Sequence, residues 1–281
     1  MPSRSQLQFE SLLLVSVTIL SACSGFFNPA PDENVSRRTA YEYKRLPELP
    51  NELSAMARQL YAENASVEDI ACSLLAACKL TAMEPDSFDG WYLASRSCGW
   101  LTDYGEEPVC YDNRRKRTVV VDCVELGEKA VEVAPENASA WYSLTVSLGM
   151  KLRHASIATA SIYVSSLMNA ARKSIELNSG LDEGGPLRIL GALYQKAPAW
   201  PTGPGDLDEA LELLEQAVTE HPNHPLNHLF YAEALLEDDE VEAALAHLDK
   251  AGALLDVKRY FWRTRRYEVM INKVRQRLDG P

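Results

Sequence analysis

The sequence predicts an all-α solenoid of stacked helical hairpins, with long turns inside the hairpins and a capping helix at the C-terminal end. Three observations predict it. Ala210, Leu214 and Ala217 recur 34 positions later as Ala244, Leu248 and Ala251. Leu187, Leu190, Gly191 and Tyr194 share one spacing with His228, Tyr231, Ala232 and Leu235. "TAMEPDSFDGWYLASRSCG" and "VEVAPENASAWYSLTVSLG" superpose at a shift of 50, which places Pro85 on Pro135, Trp91 on Trp141, Tyr92 on Tyr142 and Gly99 on Gly149. Periods of this size, with small and large apolar residues at helical spacing, mark stacked repeats. Of the 281 residues, 46% are hydrophobic and 24% charged, enough apolar content for a core of that kind.

The N-terminal elements come first. "LLLVSVTIL", Leu12 to Leu20, is too short to span a bilayer as a helix and reads as a leader. Leu20-Ser21-Ala22-Cys23 resembles the lipobox of bacterial lipoproteins. The resemblance implies acylation of Cys23, cleavage just before it, and, with Ser24 following, an outer-membrane anchor facing the periplasm. An ordinary secretion signal is the plainer alternative. Residues 1–22 are then the leader and 23–45 a lipidated tether containing Pro29 and Pro31. Loss of the leader leaves the net charge at −12, which disfavours nonspecific nucleic-acid binding.

The other five cysteines, Cys72, Cys78, Cys98, Cys110 and Cys123, fall within 52 residues. In an oxidising compartment this predicts one or two disulfides and a thiol left over, with the pairing open among many. Cys98, Cys110 and Cys123 are the candidates, a bridge from Cys110 to either of the others stapling the loop around it. No Cys-x-x-Cys pair or interleaved His supports a zinc site.

The repeat domain, 46–258, resembles the tetratricopeptide (TPR) repeat in these spacings and in the unit-ending prolines Pro85, Pro135 and Pro222, with Leu214, Leu248 and His228 standing where aromatics are usual. The resemblance implies a right-handed solenoid. Small residues such as Gly191, Ala210, Ala232 and Ala244 let the paired backbones approach. The interval Leu235 to Ala244 is nine positions, but Tyr194 to Ala210 is sixteen, Cys98 to Cys123 is 25 and Leu148 to Leu167 is nineteen. The excess is expected to form loops that stack as a rim holding Trp100, Tyr104, Tyr111 and Trp200. Such a rim serves either as a binding edge or as cover for apolar surface. "APAWPTGPG", 197–205, is one insertion, after which Asp206 and Glu209 are expected to make a capping box.

First-helix residues line the inner face. There the pattern places Tyr92, Arg96, Tyr142, Arg188, Lys196 and Glu233, an aromatic-plus-arginine groove suited to a carboxylate-bearing peptide or organic acid. Ordinary contact between hairpins is the alternative. Residues 259–281 read as a basic capping helix: from Lys258 onward eight Lys/Arg face two acids. A membrane-surface or partner-docking patch is the sharper reading of the same stretch.

His221, His224 and His228 have metal-like spacing, but Pro222 and Pro225 break the helix that would align them. No triad, phosphate loop or carboxylate pair is present. The chain is therefore expected to be non-catalytic, without cofactor or metal, and to bind envelope or periplasmic proteins. "GGPLRILGALYQKAPAWPTGPGDLDEALELLEQAV" and "HPLNHLFYAEALL" also resemble the T-component lipoproteins of tripartite ATP-independent periplasmic (TRAP) transporters. That resemblance implies a transport accessory that binds a small organic acid or a solute-binding protein.

Overall fold

The computed structural model describes residues 42–62, 65–114, 116–153, 157–256 and 264–278. The leader, Cys23, the tether up to residue 41 and residues 257–263 lie outside them. Five hairpins follow one another. They are α1 (Pro50–Leu60) with α2 (Val67–Met83), α3 (Phe88–Asp103) with α4 (Cys123–Val133), and α5 (Ala138–Arg153) with α6 (Ile157–Asn178). Then come α7 (Gly185–Lys196) with α8 (Leu207–Glu220), and α9 (Pro225–Glu237) with α10 (Val241–Ala253). A final helix, α11 (Thr264–Leu278), packs on α10 and α9. Each helix packs on its chain neighbours, and the first helices also pack on one another, α1 on α3, α3 on α5, α5 on α7 and α7 on α9. The first helices thus form one layer and the second helices the other, the arrangement of a TPR helical solenoid.

The repeat positions explain the packing. Ala210, Leu214, Ala217, Ala232, Ala244, Leu248 and Ala251 are completely buried. A Cβ on Gly191 would sit 2.7 Å from Leu214, so only glycine lets α7 and α8 meet there. The core is a chain of local clusters, one running from α1 to the α3–α4 connection and another joining α9, α10 and α11. Each hairpin leans on the next, as a one-dimensional stack requires.

The proline–tryptophan spacing has a hydrogen-bonding cause. Trp91 Nε1 donates to the Pro85 carbonyl and Trp141 Nε1 to the Pro135 carbonyl, both at 2.6 Å. His228 Nε2 reaches the Pro222 carbonyl in the same register at 2.8 Å. His228 therefore replaces tryptophan as the N–H donor that closes the turn between hairpins. Because Nε2 carries that proton, the neutral ring accepts at Nδ1, where His247 Nδ1 lies 2.9 Å away and must donate.

Three connections depart from the sequence expectation. The turn between α3 and α4 is a β-ribbon, β1 (Val109–Asp112) antiparallel to β2 (Arg117–Val120). Between Leu148 and Leu167 the extra residues lengthen α5 and α6 instead of forming a long loop; residues 154–156 lie outside the described set. Asp206 caps α8 by accepting from Glu209 N at 3.2 Å, but its own N–H goes to the Tyr194 carbonyl at 3.0 Å, so the reciprocal half of the capping box is not made. Disulfides join Cys98 to Cys123 across the base of the ribbon connection and Cys110 to Cys78 on α2. Cys110 thus pairs outside its own hairpin, because β1 lies against α2.

This packing has two measurable consequences. Burial pushes His228 and His247 below the usual imidazole value; for His228 the bond to Pro222 opposes the shift and Lys250 adds to it. A base with a depressed folded pKa stabilises the fold above its unfolded value and loses that contribution as pH falls through the folded one. The thermal midpoint should drop between pH 7 and pH 5, and the drop should be smaller in His228→Trp. The other consequence concerns the staple. Opening a loop of 32 residues by Cys110→Ser removes about 4 kcal/mol of unfolded-state restriction. Trypsin should then cleave at Arg114–Arg117 many times faster than in the oxidised wild type.

Candidate functional site

The inner layer brings three of the expected groove residues together, Tyr92 and Arg96 on α3 with Tyr142 on α5. The Arg96 guanidinium lies over the Tyr142 ring at 4.9 Å and the Tyr61 ring at 5.8 Å. Its Nε is buried and has no hydrogen-bond partner. Burial works against the charge, but the surrounding tyrosines and Asp182 outweigh it and hold Arg96 firmly protonated. Burial likewise raises Tyr92 and, together with Asp182, Tyr142, so both hydroxyls keep their protons.

Asp182 is the residue that sequence reasoning missed. It sits between α6 and α7, where the repeat lacks its proline and Leu187 cannot replace the ring N–H donor. Asp182, Glu183 and Gly184 follow one another with φ of 50°, 51° and 84°. Two non-glycine residues in left-handed conformation cost on the order of 1–3 kcal/mol each and persist only where their surroundings hold them. Arg188 supplies the hold. Its guanidinium donates to the carbonyls of Glu183 at 2.7 Å and Asp182 at 2.9 Å, and to the Asp182 carboxylate at 3.3 Å. Asn227 on α9 accepts from Arg188 at 2.6 Å and donates to the Glu183 carbonyl at 3.1 Å. Gly185 completes the arrangement, since a Cβ there would overlap the Tyr142 hydroxyl that donates to Asp182.

Asp182 is crowded by protein yet open to solvent, with 43% of its side-chain surface accessible. Arg188, Arg96 and Tyr142 crowd one side of the carboxylate, and its other side faces water. Crowding pushes its carboxyl up, whereas Arg188, Arg96, the Tyr142 hydroxyl and His224 pull it down, and the net position is about 2. The groove therefore presents a fixed carboxylate at one edge of the Tyr142 ring and an arginine over its face.

The remaining expected residues go elsewhere. Arg188 is buried and fully engaged, a brace rather than a ligand-facing group. Lys196 pairs with Glu233 at 3.0 Å and lies over the Phe230 ring at 5.2 Å, farther along α7 and α9. Trp100 is not on a loop; it is buried in α3 and stacks on Tyr104, which ends that helix, at 4.1 Å. Tyr111 is on β1 and packs on Tyr43. Trp200 alone of the four stands out from the rim, 86% exposed. His221 ends α8, and His224 caps α9 by accepting from Leu226 N. A separate cleft of about 300 Å³ between α6, α7 and α8 has Arg172 bound to the Tyr194 hydroxyl, so these two polar groups are already paired.

Stacked hairpins with an inner groove define a helical-repeat protein, and the comparisons agree. Residues 203–260 match the tetratricopeptide repeat family model. The fold is similar to TTC0263, a thermophilic TPR protein of Thermus thermophilus, at a TM-score of 0.56 and 17% identity, over 79% of this chain and 99% of that one. It is also similar to the human IFIT1 dimer with m7Gppp-AAAA, at a TM-score of 0.55 and 14% identity, over 87% of this chain and 52% of that one. At such identities the likeness is one of fold. No curated protein matches the sequence.

A depressed carboxylate stabilises the fold above its unfolded value, here 3.8, and that contribution is lost as pH falls through about 2. Acid unfolding followed by tryptophan emission should therefore steepen between pH 4 and pH 2. Asp182→Asn should flatten that limb, and Gly185→Ala, by displacing Tyr142, should flatten it in part.

Proposed function

We propose that this chain is a lipid-anchored, non-catalytic scaffold of the bacterial envelope that holds an extended segment of a partner protein in its inner groove. One observation carries the reading: a strained turn, braced by Arg188 and Asn227, presents an open carboxylate beside an arginine whose Nε is unpaired. Strain held in place at a solvent-facing polar cluster is a mark of binding sites. Asp182 offers an anion to a backbone or side-chain donor and Arg96 a fixed positive charge to an acidic group, with the half-buried Tyr92 adding rigid contact area. The TPR fold supports a protein or peptide ligand. Two disulfides and the lipobox-like Leu20–Cys23 support an extracytoplasmic, acylated protein. Among the described residues no helix is long and apolar enough to cross a membrane.

A second reading, from the resemblance of residues 184–236 to T-component lipoproteins, makes the partner a solute-binding protein of a TRAP-type system or a small organic acid. Arg96 favours a carboxylate in either case. The readings separate in one experiment. A photo-crosslinking residue in place of Tyr92 should give a discrete protein adduct in whole cells, and one in place of Glu212 on α8 should not. Arg96→Ala should reduce the adduct at least tenfold. A groove that takes only a small acid gives no protein adduct, and that acid is recovered by native mass spectrometry.

A further inference from the structure

The C-terminal helix does more than cover the last hairpin. Thr264, Tyr267, Ile271 and Val274 are buried and form one stripe along α11. Ile271 and Val274 join the apolar cluster of α9 and α10, and Arg275 pairs with Asp249 of α10 at 2.6 Å. That half would serve as a cap by itself. The other half overruns the last hairpin and reaches α3. Arg266 Nη1 donates to the Asp103 carbonyl at 2.8 Å and lies 2.6 Å from Asp103 Oδ2, and Nη2 donates to Oδ1 at 2.7 Å. The guanidinium also lies over the Tyr104 ring, at 6.0 Å.

These contacts place α11 on the hollow side of the inner layer. Asp103 stands seven positions after Arg96 and eleven after Tyr92, so the three share the face of α3 that lines the groove. Arg153, which also binds Asp103, stands eleven positions after Tyr142 on the matching face of α5. At its other end α11 brings Arg277 within 4.0 Å of Glu237, which stands four positions after Glu233 on α9. Asp103 and Glu237 are the last residues of their helices. The helix therefore runs from α9 to α3 past the last turns of α5 and α7. Neighbouring helices lie about 8–10 Å apart, so in a flat layer α3 and α9 would stand about 24–30 Å from each other. Ile271, seated on the last hairpin, and Arg266, bound to α3, are five positions apart, about 8 Å along α11. Only a layer that curls around α11 brings both within its reach.

The attachment to α3 is built to open. The Arg266 side chain is 31% exposed and that of Asp103 19%, so salt reaches the pair. Asp103 is held by Arg153 as well, so Arg266 can leave without stranding a half-buried carboxylate, the outcome that makes such pairs costly to break. Ile271, Val274 and Arg275 keep the other half of α11 seated on α9 and α10 meanwhile. Tyr92, Tyr142 and Asp182 lie at the opposite ends of the first helices, so α11 narrows the groove without filling its polar cluster.

We infer that α11 is a strap across the turn-side half of the inner groove, latched to α3 by Arg266 and released when a partner segment enters. An extended segment laid across the first helices runs in the same direction as α11 and competes with it for the width of the groove. Latched, the chain restrains its own binding surface and draws the second hairpin toward the fifth. Released, the first half of α11 swings from α3 and the curl relaxes. The identity of what enters rests on the partner reading above; the strap rests on the contacts of α11 itself.

Hydrogen exchange and small-angle scattering compare the wild type with Arg266→Ala. Amides of residues 264–270 are expected to exchange at least tenfold faster in the variant, whereas those of α10 stay within twofold, which shows the last hairpin still folded. The radius of gyration should rise by more than its error. Arg266→Lys, which keeps the charge but not the two-pronged grip, should fall between. In cells, the protein adduct from a photo-crosslinking residue in place of Tyr92 should increase at least threefold when Arg266→Ala is added. Unchanged exchange over 264–270 overturns the latch. Faster exchange with an unchanged radius of gyration and an unchanged adduct overturns its control of the groove. Faster exchange and a larger radius, with no adduct from either form, uphold the strap and count against the partner reading alone.

Discussion

A pair of antiparallel helices cannot hide its own apolar faces, and everything else in this molecule is arranged around that shortage. Close approach within a pair needs small residues, which is why Ala210 and Ala244 are wholly buried and why Gly191 faces Leu214. The outer side of each pair is then covered by the next, and α11 covers the last with Ile271 and Val274. Ring N–H bonds to proline carbonyls fix the turns at which one pair hands over to the next. Such a stack tolerates variation inside a hairpin's own turn, where a ribbon or a proline-rich loop disturbs no interface.

The third handover lacks that bond, and the candidate site lies there. Without a proline and its ring donor, the chain between α6 and α7 needs another way to satisfy its carbonyls. Arg188 and Asn227 do so by gripping the backbone of Asp182 and Glu183. The grip fixes two left-handed residues and so aims one carboxylate. A departure from the repeat that costs stability and yields an ordered, open charge is where function is most economically sought.

Much of this fold was legible because packing imposes a period. The Ala–Leu–Ala positions, the proline–tryptophan pairs and the inner stripe of Tyr92, Arg96 and Tyr142 all follow from helix geometry. What was not legible depends on contacts between distant segments. Asp182 looks like any acid in a polar turn; only the missing proline before Leu187, beside Arg188, marks the place. The pairing of Cys110 with Cys78 was outside the candidates Cys98 and Cys123, because sequence distance says nothing of β1 lying on α2. Trp100 was placed on a loop because interval counting cannot tell an inserted turn from a longer helix, and α3 runs on through it to Asp103. The same ambiguity hid the extension of α5 and α6.

The handovers between hairpins and the turns within hairpins lie at opposite ends of the helices. Tyr92, Tyr142 and Arg188 stand in the first turns of α3, α5 and α7, and Asp182 precedes the last of these. Trp200 follows the last turn of α7, whereas the ribbon, although it follows α3 in the chain, folds back on the C-terminal half of α2 through Cys78–Cys110. Tyr142 and Arg153 are eleven positions apart on α5, about 16 Å along the axis. The C-terminal helix belongs to the second end: Arg266 holds the Asp103 carboxylate at 2.6 Å and its carbonyl at 2.8 Å, and Arg277 approaches Glu237 at the end of α9. Those pairs tie the end of the stack back to α3. Glu106, Glu107, Asp238, Asp239 and Glu240 stand exposed at the same end, and Asp182 at the other, so both ends of the stack keep negative charge.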